Sequence, residues 1–183
     1  MTTEDGTAPE GPPLTFSGAP LPEGTGSERQ ILQQWLDLQR ATLAAKCEDL
    51  GDEELRRAAA PPSALTLLGL VRHMTDVERH WFRGMWREED SAPLYRTPQA
   101  PDDDFVVTEA DTGEETLAAW RREIARARAS AAGRSLDEVA THPRRTGWRM
   151  SLRWMYAHMI QEYARHNGHA DLLRERIDGK TGF

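Results

Sequence analysis

The stretch Ser151-Leu-Arg-Trp-Met-Tyr-Ala-His-Met-Ile-Gln-Glu-Tyr-Ala-Arg-His-Asn-Gly-His-Ala-Asp-Leu-Leu-Arg-Glu-Arg-Ile-Asp178 decides the fold. Within it Leu152, Met155, Met159, Glu162, His166, His169 and Leu173 recur at alternating spacings of three and four. That spacing places all of them on one face of an α-helix. Four of them are core residues, yet a carboxylate and two imidazoles sit in their midst. An unpartnered buried charge costs several kcal/mol or more, so these three require a ligand or partners. A bound divalent metal meets that requirement.

Working outward, Ser151 reads as the N-cap of this helix and Gly179 as its stop. Ser27 with Gln30 forms a capping box, opening a first helix whose apolar face holds Ile31, Leu32, Trp35, Leu36, Leu38 and Leu43. A short helical stretch is predicted from Glu53 to Ala59, ahead of Pro61 and Pro62. Ser63 is predicted to cap a long second helix to about Arg87, carrying Leu67, Leu70, His73, Val77, Trp81 and Met85. Thr112 with Glu115 opens a third, through Leu117, Trp120, Ile124 and Ala127 to about Ala132, and a short helix is expected after Ser135. From Ser91 to Asp111 the chain reads as loop. The acidic run Asp102 to Asp104, next to Pro101, reads there as a solvated turn, and Phe105 to Val107 as a brief extended segment. Four long amphipathic helices, with no sustained period-two pattern and no internal repeat, predict an all-α four-helix bundle with short extra helices.

The chain has 183 residues, enough for one full core. Residues 1–26, rich in Gly, Pro, Thr and Glu, read as a flexible arm, and 27–183 as the bundle domain. A net charge of -7 gives no footprint for nucleic acid or anionic membranes. The local basic patch of Arg144, Arg145, Arg149 and Arg153 reads as solvated charge at a helix entrance, with capture of an anionic substrate or cofactor by Arg149 and Arg153 as the sharper alternative. Cys47 is the only cysteine, so no internal disulfide forms and a reducing cytoplasm is the expected home. It reads as a packed, inert thiol, so any sulfur chemistry would use a small-molecule thiol. No apolar run is long enough for a membrane span or a signal peptide.

Glu162 and His166, four apart, project from adjacent turns and can offer two ligands to one ion. His73, between Leu70 and Val77 on the second helix, is the strongest third ligand. His169 is a further ligand or an outer partner. Two histidines and one carboxylate leave coordination positions open, which suits catalysis. Competing readings are a hydrogen-bonded core histidine at 73 and pairing of Glu162 with Arg165 or Arg72. His80 reads as a satisfied histidine, His142 as a turn residue, and His158 as peripheral.

The segments His73-Met-Thr-Asp-Val-Glu-Arg-His-Trp-Phe82 and Trp154 to Glu175 resemble the DinB-like superfamily, in particular its actinobacterial branch, over about residues 27 to 179. The resemblance implies a four-helix bundle with a divalent metal held by His73, Glu162 and His166. A glutamate in the first slot of the last helix is similar to the mycothiol-dependent maleylpyruvate isomerases. The implied function is a metal-dependent, thiol-dependent transferase or isomerase handling a small-molecule substrate with mycothiol or a similar thiol. His169 would relay a proton, Arg149 and Arg153 would meet the anionic substrate or cofactor, zinc would be the first choice of metal before nickel, iron or manganese, and the protein would be a homodimer. Metal-activated water doing hydrolysis, or a non-catalytic stress-associated metal-binding protein, are the alternatives.

Overall fold

The computed structural model describes residues 18–88, 90–143 and 145–181. Four long helices make the bundle: α1 (Glu28–Cys47), α3 (Leu67–Phe82), α4 (Gly113–Ala131) and α5 (Leu152–Asp178), with the single turn α2 (Asp52–Leu55) between the first two. A two-stranded antiparallel hairpin, β1 (Val139–Thr141) and β2 (Arg149–Ser151), joins α4 to α5. The all-α bundle is therefore as the periodicity predicts.

Hydrogen bonds between helices set the topology. Gln33 bonds Tyr156, Asn167 bonds Gln39, and Arg174 donates to the Lys46 carbonyl, so α1 and α5 run parallel. Arg79 meets Glu123, and Ser130 bonds the Phe82 carbonyl, so α3 and α4 are parallel too. Phe82 faces Tyr156 and His73 faces His166, which makes α3 antiparallel to α5. The order is up, down, down, up, and the long segment 83–112 is the crossover that two parallel neighbours require.

The caps are largely those the sequence announces. Ser27 and Gln30 form the complete capping box, Thr112 accepts from the Glu115 N–H, Ser151 accepts from the Trp154 N–H, and Gly179 ends α5 at φ 81°. Four boundaries differ. The short helix expected from Glu53 to Ala59 is the single turn Asp52–Leu55, capped at Arg56. Ser63 closes a local turn by accepting from the Leu65 N–H, and Thr66 caps α3 in its place. Gly84 then ends α3 early, in a 3₁₀ turn over Gly84–Trp86. After Ser135 there is no helix; its Oγ takes the Asp137 N–H and the chain enters β1. Each strand buries one side chain, Ala140 and Met150, which is too little to leave an alternating pattern in the sequence. Of the expected arm, residues 1–17 lie outside the described residues, while the Glu23 N–H donates to the Gln34 side chain of α1 at 2.9 Å.

The core gathers Leu36, Leu43, Leu70, Met74, Trp120, Met155, Met159 and Tyr163. Cys47 belongs to it, and burial pushes its thiol up to about 12. A thiol so held is inert at neutral pH. Among the described residues no helix is long and apolar enough to cross a membrane.

One glycine carries the crossover onto α3. A Cβ on Gly69 would stand 2.6 Å from the Phe105 carbonyl oxygen, so only glycine lets the 103–107 segment lie against this turn. Gly69→Ala is expected to destabilise the metal-free protein by about 1–3 kcal/mol, as overpacking does. A thermal melt checks it: an unchanged midpoint would mean that the crossover is not pinned there.

A candidate metal centre of two histidines and a glutamate

His73 comes from the middle of α3, and Glu162 and His166 from adjacent turns of α5. One donor atom from each lies within 4.8 Å of the others. Donors held by one zinc-like ion through bonds of roughly 2.1 Å would stand about 3.4 Å apart in a tetrahedral set. A small inward rotation of these side chains therefore lets all three share one ion. Glu162 and His73 are half-buried and His166 is buried, so the cluster opens to solvent on one side.

Each histidine has its second nitrogen engaged. His73 Nδ1–H donates to Asp104 Oδ2 at 2.9 Å, and Phe105 stacks on the His73 ring at 4.3 Å between centroids. This bond leaves His73 Nε2 with its lone pair for the site. His166 Nδ1 meets His169 Nδ1 at 3.3 Å, while its Nε2 lies 3.7 Å from Glu162 Oε2. Burial, with His73, His169 and Arg165 nearby, pushes the His166 imidazole down to about 4. It is neutral at pH 7, the form that binds metal.

The donor set fits a divalent ion by a further observation. Asp104 is 1% exposed, and its Oδ1 has no hydrogen-bond partner among the described residues. A buried carboxylate so poorly satisfied burdens the fold, and polarising a metal-binding imidazole is a role that would retain it. The sequence reading of Asp102 to Asp104 as a solvated turn is thus corrected at Asp104. The signal was faint: an acid followed at once by the apolar run Phe105, Val106 and Val107.

Neither rival partner of Glu162 pairs with it among the described residues: Arg72 bonds Asp111 at 2.6 Å, Arg165 makes no ion pair with Glu162, and the ionisable neighbours of Glu162 are the imidazoles of His158 and His166, each at 3.7 Å. His158 is not peripheral as expected. It stacks on Trp154 and sits edge-on to Trp81 at 4.4 Å, and burial lowers the pKa of its imidazole. Trp81, Trp148, Trp154 and His142 continue this aromatic cluster away from the site. A cluster built from three segments leaves no local pattern to read.

Of the basic residues, Arg149 is exposed on β2, and Arg144 lies outside the described residues. Arg153 ties α1 to the hairpin side: its guanidinium bonds both oxygens of Glu28 and one of Asp137. Those bonds commit its donor groups to carboxylates of this chain. His169 touches the outer nitrogen of His166, on the side opposite to Glu162.

Comparison with known proteins bears on the fold and the family. A conserved protein from Enterococcus faecalis, known from its crystal structure, shares the fold with a TM-score of 0.62 at 12% identity, over 85% of this chain and 100% of its own. None of the curated proteins compared with the chain matches it. The family model for mycothiol-S-transferase, a DinB-like family, matches residues 31–179, from the first turns of α1 to the glycine that ends α5 and with all three triad residues inside. By that match the chain belongs to the mycothiol-S-transferase family.

Proposed function

We propose that the protein is a metal-dependent transferase that joins the sulfur of mycothiol, or a similar low-molecular-weight thiol, to an electrophilic carbon of a small molecule. The observation that carries this reading is the meeting of His73, Glu162 and His166 within 4.8 Å in a chain of this family. A divalent ion there, zinc in the first place, would lower the pKa of a bound thiol enough for thiolate to exist at neutral pH. His73 and His166 each present one nitrogen and Glu162 one oxygen. Asp104 holds the tautomer of His73, and His169 that of His166, so His169 acts through a ligand and is a positioning residue. The nucleophile comes from outside the chain, because Cys47 is buried with its thiol near 12. In the transfer the sulfur–carbon bond forms as the bond to the leaving group breaks. The leaving group departs with that electron pair, and the thiol proton passes to solvent. A cytoplasmic homodimer belongs to the same proposal.

The experiment is metal content by mass spectrometry after purification without chelator or immobilised nickel, for wild type and for Glu162→Ala/His166→Ala. About one equivalent is expected in the wild type and almost none in the variant. Thiol consumption by the loaded wild type, followed with an electrophilic chromophore, then tests the transfer. No metal in the wild type even after incubation with zinc and nickel would overturn the reading. So would loss of the electrophile to water without consumption of thiol.

A further inference from the structure

A cleft of about 830 Å³ opens between the 87–101 segment and the hairpin, lined among others by His80, Arg87, Glu88, Arg96, His142 and Arg145. The one carboxylate that lines it among the described residues is committed elsewhere, since Glu88 bonds Arg83 at 2.9 Å and Ser130. Three arginines, Arg87, Arg96 and Arg145, therefore line one cavity in a chain whose net charge is -7. We infer that this cleft is an anion subsite, and that the electrophile accepted by the enzyme carries a carboxylate or phosphate group there. The link to catalysis rests on the transferase reading; the binding of anions does not.

The walls are built rather than loose. Asp76, 1% exposed on α3, accepts the backbone N–H groups of Leu94, Tyr95 and Arg96 at 2.6, 3.1 and 3.2 Å. Arg79 of the same helix donates to the Ala92 carbonyl at 2.6 Å. The backbone that carries Arg96 is thereby fixed to the helix that carries His73. On the opposite wall Arg145 lies over the Trp148 ring at 4.7 Å, and His142 stacks on that ring at 5.2 Å and 22°. Guanidinium groups set in this way recognise carboxylate or phosphate by charge-assisted hydrogen bonds.

The cleft also lies in line with the metal triad. His80 follows His73 by seven residues on the same face of α3, an advance of about 10 Å. Between them runs the aromatic strip: His158 reaches Glu162 at 3.7 Å, Trp81 meets His158 at 4.4 Å, and Trp154 and Trp148 stand 5.4 and 6.2 Å from Trp81. Trp154 is 38% exposed, so solvent and solutes reach this strip. The order of metal, aromatic wall and arginines fits an acceptor with its electrophilic carbon at one end, a flat or apolar middle, and an anionic group about 10 Å away, at a spacing of two helical turns. When the metal-side thiolate attacks such an acceptor, the anionic end takes no part in bond making. It orients the molecule and sets which electrophiles are accepted.

The test is calorimetric titration of the full chain, metal-loaded and without thiol, with 2-naphthoate, 2-naphthyl phosphate and the uncharged 2-naphthamide. Wild type is expected to bind at least one anion more tightly than the amide by about tenfold or more, the usual worth of one charge-assisted contact. The better anion tells which head group the cleft takes. Arg96→Ala/Arg145→Ala should lose that preference while keeping the wild-type melting temperature and metal content. Equal affinity for all three probes, or an anion preference that survives in the variant, would overturn the proposal. Neither result touches the transferase reading, which stands or falls on metal content and thiol consumption.

Discussion

Glu78→Ala is expected to lower the stability of the protein by about 3–5 kcal/mol, the usual result of removing one partner from a buried ion pair. Glu78 is fully buried on α3 and accepts from Arg40 Nε and Nη2 of α1 at 2.7 and 2.8 Å. It also accepts from the Tyr163 hydroxyl of α5 at 2.8 Å, and Tyr163 in turn accepts from Trp120 Nε1 of α4 at 2.9 Å. One carboxylate thus links all four long helices. Burial, with Glu78 beside it, drives the Tyr163 phenol well above its usual range, so it stays neutral and keeps donating. Without Glu78 the Arg40 charge is left in the core with only the half-exposed Asp37, and Tyr163 loses its acceptor. Urea unfolding of the metal-free protein measures the effect. A loss under about 1 kcal/mol, as for an exposed pair, would show that water already satisfies Arg40. Arg40→Met/Glu78→Leu should recover most of the loss, because a well-packed apolar replacement spares both desolvation costs.

Asp104→Asn is expected to weaken zinc binding by about 10–100-fold, the range found when a carboxylate behind a metal-bound histidine is altered. The amide can still accept from His73 Nδ1, but it no longer supplies the negative charge that makes Nε2 a stronger donor. Competition with a chromogenic chelator measures the affinity, and the visible spectrum of the cobalt-loaded protein reports any change at the ion itself. The metal-free variant should melt no lower than wild type, since Asp104 Oδ1 has no partner among the described residues and its charge burdens the fold. Separation of the two readouts is what distinguishes a positioning role from a structural one. Unchanged zinc affinity with a lowered melting temperature would reverse the assignment.

These two sites differ in how far they could be read from the chain. His73, Glu162 and His166 stand on helical stripes, and a stripe is a property of residues three and four apart, so the sequence contains it. The same holds for the caps at Ser27, Thr112 and Ser151, whose bonds close within three residues. Asp104 was misread because its partner lies 31 residues away, and because an acid beside prolines is ordinarily solvated. Ser63 and Ser135 have the composition of caps, yet each closes a local turn, a competition that hydroxyl side chains commonly win. His158 lies off the apolar stripe and is half-buried because Trp81 and Trp154 cover it, and Trp81 comes from another helix.

By itself the sequence determined the long helices, their inward faces, the bundle and the three residues that meet in the candidate site, since local periodicity and capping need no knowledge of the rest of the chain. The tertiary structure decided what surrounds them. It brought Asp104 behind His73 through a close approach at Gly69, joined Glu78 to three other helices, and set three arginines around one cleft. Those contacts depend on the path of the 83–112 crossover and on the packing of parallel and antiparallel neighbours. Both are settled by burial over the whole domain, which no short stretch of sequence encodes.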